Sequence, residues 1–294
     1  MNSTGVKRPM DAALRARLHL SEKSKIKLQL FRAAMETVDA VSRTAFGKPF
    51  FSLRETEKLI AQLDGLNGRE LVGAILRRNG GTTIVSQGLE HVPAKGPVIV
   101  ASTHPTGMFD FLAHAGALLK LRPDLKVVAN QEVERFLGGD SIIPVRIDKQ
   151  NRALRANSTF SAMKSHLENG GALLIFGSGR VPGQTGGRLV EPEWRGGTSR
   201  ISQHCQAPIV PAALNAANSR YYYRIRALAQ FLSRDDNIGA MVASLRYASE
   251  LLEKLGGRFE VFYGAPMQPG TAPHLLKSSA ERLVPGLYAN YSPA

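Results

Sequence analysis

A histidine and an aspartate that can act together in catalysis lie six positions apart, just beyond a short apolar run. Residues 98–102 are typical of a buried strand, and a Pro-Thr-Gly turn breaks this strand directly after His104. The apolar residues 109–121 follow and predict a buried helix with Asp110 in its first turn. His104 and Asp110 can therefore meet as a general base and the acid that orients it.

The same residues also allow an interpretation without chemistry. Asp110 would then only offset the unpaired N–H groups and the dipole at a helix start, and His104 would be a hydrogen-bonded turn residue. His114 lies four residues after Asp110 on the same helix face, so a metal pair is conceivable. No further ligands lie in register with them, and no metal site is predicted.

The segment His-Pro-Thr-Gly-x-x-Asp at residues 104–110 resembles the first motif of the lysophospholipid acyltransferase superfamily, the glycerolipid acyltransferases. It is similar to the branch in which five residues separate the histidine from the aspartate. Later segments resemble the other motifs of the family in the same order, and they are residues 127–148, 171–182 and 208–213. The similarity covers roughly residues 84–265.

Two positions depart from the family pattern. Thr103 stands where many members have an asparagine before the histidine. In the third motif, Gly177 and Ser178 replace the usual proline and glutamate. The carboxylate that helps to hold the glycerol backbone of the acceptor in the family is therefore missing, which bears on the acceptor more than on the reaction.

The resemblance implies an enzyme that moves a fatty acyl group from acyl-CoA or acyl carrier protein to a lyso-lipid. The acceptor is either 1-acylglycerol-3-phosphate or a lyso-aminolipid such as a singly acylated ornithine or glycine lipid, which the missing glutamate slightly favours. His104 is then the general base and Asp110 orients it. No cofactor is expected, because the acyl donor is itself a substrate.

Further residues are candidates for substrate binding. Arg146 and Arg180 would bind an anionic head group or donor phosphate, because a guanidinium binds such oxygens in pairs, although each could equally be a surface or salt-bridge residue. Ser178 could donate a hydrogen bond in place of the missing glutamate, or be only a turn residue. Backbone N–H groups of Gly177, Ser178 and Gly179, or of the turn before Asp110, could stabilise an oxyanion.

Composition bounds the partners and the compartment. The formal net charge of +14 implies an anionic partner: nucleic acid, an anionic bilayer, or a phosphate-rich or acidic donor such as coenzyme A or acyl carrier protein. The single cysteine, Cys205, allows no intrachain disulfide and indicates a reducing compartment. With no apolar stretch near 18 residues and no signal-peptide pattern, we expect a cytoplasmic protein, peripheral on the inner face of the cell membrane.

The elements that position the candidate residues form an α/β domain, predicted over residues 81–270. Short apolar runs alternate there with helical stretches, which is typical of a mostly parallel mixed sheet flanked by helices. The predicted strands are Thr83–Gln87, Val98–Ser102, Lys126–Ala129, Ile142–Ile147, Ala172–Phe176, Ile209–Leu214 and Arg258–Tyr263. The polar motifs follow strand ends, where ligands of open α/β sheets bind, so they can converge. Residues 271–294 are a predicted C-terminal tail.

Residues 1–80 are predicted to be a helical, possibly membrane-associating segment. Ser24 could cap a helix that ends near Gly47. Its apolar stripe consists of Phe31, Met35, Val38, Val41 and Ala45, and lysines and arginines lie along the helix. Such a basic amphipathic helix either lies in a membrane interface or packs its stripe on the core.

Two later segments complete the prediction. A helix is predicted from Asp235 to Gly256, with a buried face formed by Ile238, Met241, Val242, Leu245 and Leu252.

Tyr221–Arg226 interleaves aromatics with arginines and is predicted to be a strand edge or a partly buried turn. Such a segment also suits base stacking or a membrane interface. The alternative function is therefore a non-catalytic basic protein that binds membrane or nucleic acid, although no nucleic-acid-binding motif accompanies the segment and no nucleic acid is expected.

Overall fold

Among the described residues, three helices with complete bounds precede the sheet. The computed structural model describes residues 10–11, 14–15, 20–130, 138–145 and 152–289. The first three helices are α1 (Lys25–Phe46), α2 (Leu53–Gln62) and α3 (Gly68–Leu76). Helix α1 ends as predicted at Gly47, which has a φ of 71° that favours glycine. Ser24 precedes the helix, but its side chain makes no capping hydrogen bond.

The centre of the molecule is a seven-stranded mixed sheet in the order β1-β9-β8-β2-β5-β3-β4. Its strands are β1 (Thr83–Gln87), β2 (Val98–Ser102), β3 (Lys126–Asn130), β4 (Ile142–Val145), β5 (Ala172–Phe176), β8 (Ile209–Asn215) and β9 (Arg258–Tyr263). A separate hairpin of β6 (Gly183–Thr185) and β7 (Arg188–Val190) was not predicted from the sequence. All seven predicted strands are present, and the end of the fourth, at 146–147, lies outside the described residues.

Strand direction brings the motif-bearing strand ends together. Strands β8, β2, β5, β3 and β4 run parallel, whereas β9 is antiparallel to β8, and β1 is parallel to β9. Ser102 at the end of β2 pairs with Phe176 at the end of β5. The residues that follow these two strands therefore leave the same edge of the sheet side by side.

Helices cover both faces of the sheet. The remaining helices are α4 (Met108–Leu118), α5 (Arg152–Glu168), α6 (Gly197–Cys205), α7 (Arg220–Ser233), α8 (Asp236–Ser244), α9 (Tyr247–Lys254) and α10 (Pro273–Arg282). Val98 and Val100 of β2 belong to the core beneath α4, whereas Ile99 belongs to the core shared with α5 and α6. Because both faces are buried, β2 is apolar at successive positions instead of alternating with polar residues.

The structure corrects two predicted elements near the C-terminal half. The helix predicted from Asp235 to Gly256 is broken around Leu245 into α8 and α9, and its predicted buried face is wrong because Ile238, Met241 and Leu245 are exposed. Tyr221–Arg226 is neither a strand edge nor a turn but the first part of α7.

Described residues after β9 pack on the sheet domain. In α10, within the segment predicted as a tail, Leu276 and Ala280 are buried against residues of β2 and β8. Tyr288 is also buried. Among the described residues, no helix is long and apolar enough to cross a membrane.

Candidate active site

His104 and Asp110 lie in contact at the carboxyl end of β2. The His104 Nδ1 atom is 2.8 Å from the Asp110 Oδ2 atom. The histidine side chain is 18% exposed, whereas Asp110 is fully buried. Since Nδ1 faces the carboxylate, Nε2 is the ring nitrogen that remains for a substrate proton.

Asp110 also holds the turn that carries the histidine. Its carboxylate accepts hydrogen bonds from the Thr106 N–H at 3.1 Å, from the Gly107 N–H at 3.0 Å, and from the Thr106 hydroxyl. Gly107 has a φ of 83° and packs against the Tyr247 ring, which leaves little room for a side chain. Asp110 therefore does both things proposed for it, since it caps the start of α4 and contacts His104.

The third motif lies against the histidine ring. Phe176, the last residue of β5, stacks on His104 with 4.3 Å between ring centroids and 23° between ring planes. The Gly177 N–H donates to the Ser102 carbonyl at 3.0 Å, which continues the β2–β5 pairing into the loop. The predicted convergence of these two motifs is present, while their roles in catalysis stay predictions.

Most N–H groups that could serve as an oxyanion hole are already used. Gly179 N–H donates to the Phe176 carbonyl, and Arg180 N–H donates to the Ser178 hydroxyl. In the turn before the aspartate, the N–H groups of Thr106 and Gly107 both donate to Asp110. Within Gly177–Gly179, only the Ser178 N–H makes no hydrogen bond with the described residues.

The structure describes only one of the two arginines that are candidates for substrate binding. Arg146 lies outside the described residues. Arg180 is exposed after the Gly177–Gly179 loop, and it makes no ion pair with any described residue. Ser178 is buried and its hydroxyl donates to the Arg180 carbonyl, so it fixes the shape of the loop.

His114 is a core histidine. It is buried, with its Nε2 atom 2.8 Å from the Ser102 hydroxyl and its Nδ1 atom 3.2 Å from the Tyr263 hydroxyl. Burial lowers its pKa to about 4, which keeps it neutral at physiological pH. The described residues contain no group of three or more side chains suited to a metal ion.

Glu191 is a residue near the site that sequence reasoning missed. It is buried after β7 and accepts a hydrogen bond from the Trp194 indole N–H at 3.2 Å. Burial raises its pKa to about 8, against the opposing effect of Ser178 and Trp194. The local sequence around Glu191, a glutamate followed by a proline, has no pattern that indicates burial, so its burial is seen only in the structure.

Comparison with known proteins identifies the class. Residues 53–276 match the model of a family described as acyltransferase, and the chain belongs to this family. It is thus an acyltransferase, and the match begins in α2, ahead of the sheet domain. No curated protein sequence matches the chain.

Among solved structures, the chain is similar to the 1-acyl-sn-glycerophosphate (LPA) acyltransferase PlsC from Thermotoga maritima, with a TM-score of 0.45 and 12% identity. That similarity covers 82% of this chain and 84% of the PlsC chain.

Proposed function

We propose that this acyltransferase moves a fatty acyl group from acyl-CoA or acyl carrier protein to a lyso-lipid, with His104 as the general base. The observation that carries the proposal is the 2.8 Å contact between His104 Nδ1 and the buried Asp110 carboxylate, in a chain of the acyltransferase family. A histidine held in this way presents Nε2 to a substrate, and general-base catalysis needs that geometry.

The reaction needs no covalent enzyme intermediate. His104 Nε2 takes the proton of the acceptor hydroxyl or amine as the acceptor attacks the thioester carbonyl carbon. The tetrahedral intermediate then collapses, its carbon–sulfur bond breaks, and the imidazolium returns the proton to the leaving thiolate. Asp110 stabilises the positive charge that His104 carries between these two steps.

The surroundings of the pair assign roles to the loop after β5. The free N–H of Ser178 is our candidate donor to the oxyanion of the intermediate. Arg180 is our candidate for an anionic head group or donor phosphate, because it is exposed beside the loop and free of ion pairs with described residues. Arg146 keeps the same proposed role from its resemblance to the second motif. The acceptor is 1-acylglycerol-3-phosphate or a lyso-aminolipid.

We further propose that the enzyme works peripherally on the inner face of the cell membrane, through its exposed apolar side chains. Thirteen large hydrophobic residues are exposed in the part of the chain that the structure describes, and twelve of them lie on or directly after α1, α7 and α8. They are Ile26, Leu30, Phe31, Val38, Val41 and Phe46 from α1, and Leu228, Phe231, Leu232, Ile238, Met241 and Leu245 from the α7–α8 region. Such a concentration of apolar surface is typical of an interaction site.

Helix α1 is oriented with its polar residues inward. Arg32 is buried and pairs with Glu57 at 2.7 Å, and buried Asp39 accepts from the Leu53 N–H at 3.1 Å. The stripe that includes Phe31 and Val41 therefore faces away from the protein, which favours the membrane interpretation of this helix over core packing.

The α7–α8 hairpin adjoins both α1 and the site. The Tyr221 ring at its start lies 5.0 Å from the Phe46 ring of α1, and its hydroxyl hydrogen-bonds to Ser42. Buried Arg226 donates to the Val181 carbonyl, next to Arg180. Helix α7 thus contacts both α1 and the residues that follow the Gly177–Gly179 loop. The burial of Tyr222, Tyr223 and Arg226 leaves little of this segment for stacking with nucleic-acid bases.

The test is acyl transfer by the purified chain. Acyl-CoA and acyl carrier protein are each offered with 1-acylglycerol-3-phosphate or a singly acylated ornithine lipid, and products are identified by mass spectrometry with thiol release. His104→Ala should lower kcat about 10²–10⁴-fold. His274→Ala, at an exposed position on α10, is the matched control and should leave kcat unchanged. No transfer to any acceptor, or a His104→Ala variant within about threefold of wild type, contradicts the proposal.

A further inference from the structure

Glu191 has one carboxyl oxygen without a partner. Its Oε1 atom accepts from Trp194, whereas its Oε2 atom is buried and makes no hydrogen bond with any described residue. A buried carboxyl oxygen left unpartnered lowers the stability of the fold. Such unpartnered groups and strongly shifted acids occur preferentially at functional sites.

The segment that carries Glu191 forms the wall behind the catalytic loop. The Trp194 ring occupies the space that a side chain at Gly177 would need. The Arg195 N–H donates to the Gly177 carbonyl at 3.0 Å. The Ser178 hydroxyl donates to the Arg180 carbonyl within this loop. Glu191 is thus linked, through Trp194, to the loop that contains the free Ser178 N–H.

The same cluster borders the catalytic pair. Tyr288 is buried, and neither its hydroxyl nor the hydroxyl of Thr103, which precedes His104, makes a hydrogen bond with a described residue. Glu191 lies close enough to Asp110 and Tyr288 for electrostatic interaction with both. Unpartnered buried polar groups therefore occur both next to His104 and behind the loop after β5.

We infer that Glu191 is a positioning residue for acyl transfer. It acts through Trp194: its carboxyl group accepts from the indole N–H, the Trp194 ring packs on Gly177, and this contact fixes the loop that contains the Ser178 N–H. The inference rests on the proposed function, and it adds a residue that acts through Trp194 without touching substrate.

The charges around Glu191 determine the form in which it works. The groups that face it are Asp110 from α4, Glu281 from α10 with its partner Lys277, and the Tyr288 hydroxyl. Burial and the two carboxylates raise its pKa to about 8, so it is a neutral acid at neutral pH. A neutral carboxyl group can donate a hydrogen bond within the cluster. Its ionisation places a second negative charge near Asp110 and disturbs the loop.

Three variants test the inference: Glu191→Gln, which stays neutral at every pH; Glu191→Ala, which removes the group; and Glu193→Gln as a matched control at an exposed neighbour. kcat and KM for acyl transfer are measured from pH 6 to 9.5, with thermal melting of each variant. Glu191→Ala should lower kcat at least about tenfold with little change in KM. Wild-type kcat should fall as pH rises through about 8, and Glu191→Gln should abolish that fall.

The outcomes separate this inference from the function on which it rests. If the wild type transfers no acyl group, the proposed function is wrong. If the wild type is active and Glu191→Ala retains its kcat, or Glu191→Gln keeps the alkaline fall, the inference is overturned. A purely structural role would lower the melting temperature of Glu191→Ala without changing the kcat of folded enzyme. Should Glu191→Ala not fold, the pH profile of Glu191→Gln decides.

Discussion

Asp110 shows that one carboxylate can cap a helix and contact the proposed catalytic histidine at the same time. The sequence offered these as alternatives, but the carboxylate has two oxygens and enough acceptor sites for both the turn and the imidazole. The spacing was informative because a histidine before a turn and an acid in the first helical turn must lie close. Glu191 carried no comparable signal, since its place depends on packing between segments far apart in sequence.

The dual role gives a prediction at this residue. Asp110→Asn keeps the shape but loses the negative charge, so it should lower kcat about 10²-fold or more by failing to stabilise the imidazolium and its tautomer. It should also lower the free energy of unfolding by about 1–2 kcal/mol, because the turn loses an ionised hydrogen-bond acceptor. Chemical denaturation and steady-state kinetics measure the two effects separately.

The control for this prediction is Thr106→Val. It removes one hydroxyl that donates to Asp110 and leaves the contact between Asp110 and His104. We expect it to lower stability with a much smaller effect on kcat. Equal losses of kcat in the two variants would mean that Asp110 serves only the turn.

Among the secondary-structure elements, periodicity predicted where helices lie in the sequence, but it did not always predict which side of a helix is buried. The stripe of α1 was identified from its spacing, yet Phe31, Val38 and Val41 are exposed while Arg32 and Asp39 are buried. Ion pairs and hydrogen bonds to α2 decide this orientation, and such long-range contacts have no local pattern. The strands were easier to predict because buried parallel strands are short runs of apolar residues.

The exposed faces of α1 and the α7–α8 hairpin yield the prediction for elements. Replacing Phe31 and Val41 by serine, or Phe231 and Leu232 by serine, should weaken binding to anionic vesicles at least about tenfold for each pair. Each lost apolar side chain removes about 1.5–3 kcal/mol of burial in the bilayer. Sedimentation with vesicles measures the bound fraction, and size-exclusion chromatography with light scattering reports whether the faces instead join two copies.

Point substitutions test membrane binding by α1 more specifically than deletion of the helix does. Deleting the helix would expose Leu53 and leave Glu57 without Arg32, so loss of binding could reflect unfolding. The serine variants change only exposed positions and should melt within about 2 °C of wild type. Leu275→Ser is the matched control, because Leu275 is the one large exposed hydrophobic residue outside these helices among the described residues. Unchanged vesicle binding by both pairs would refute a membrane role for the two faces.

For the whole molecule, topology explains why distant motifs make one site. Strands β2 and β5 are neighbours in the sheet, with Ser102 opposite Phe176, although 69 residues (103–171) lie between the end of β2 and the start of β5. The connection through α4 and α5 brings the carboxyl ends of these parallel strands to one edge. No single segment of the sequence determines the order of strands in the sheet. The contact between Phe176 and His104 could therefore not be predicted from local sequence and is seen only in the folded structure.

The charge of the whole chain supports the last prediction. A net charge of +14 attracts anionic lipid over a Debye length of about 8 Å at physiological salt, whereas insertion of the exposed apolar faces is largely insensitive to salt. Sedimentation should therefore show strong binding to vesicles with anionic lipid, weak binding to neutral vesicles, and release from anionic vesicles as sodium chloride increases. The variant with serine at Phe231 and Leu232 should leave anionic vesicles at a lower salt concentration than wild type. It lacks the apolar contacts of the α7–α8 hairpin with the bilayer, so electrostatic attraction alone holds the hairpin there. Binding that is equal on neutral and anionic vesicles, with no response to salt, would mean that the basic charge serves an acidic donor such as acyl carrier protein instead of the membrane.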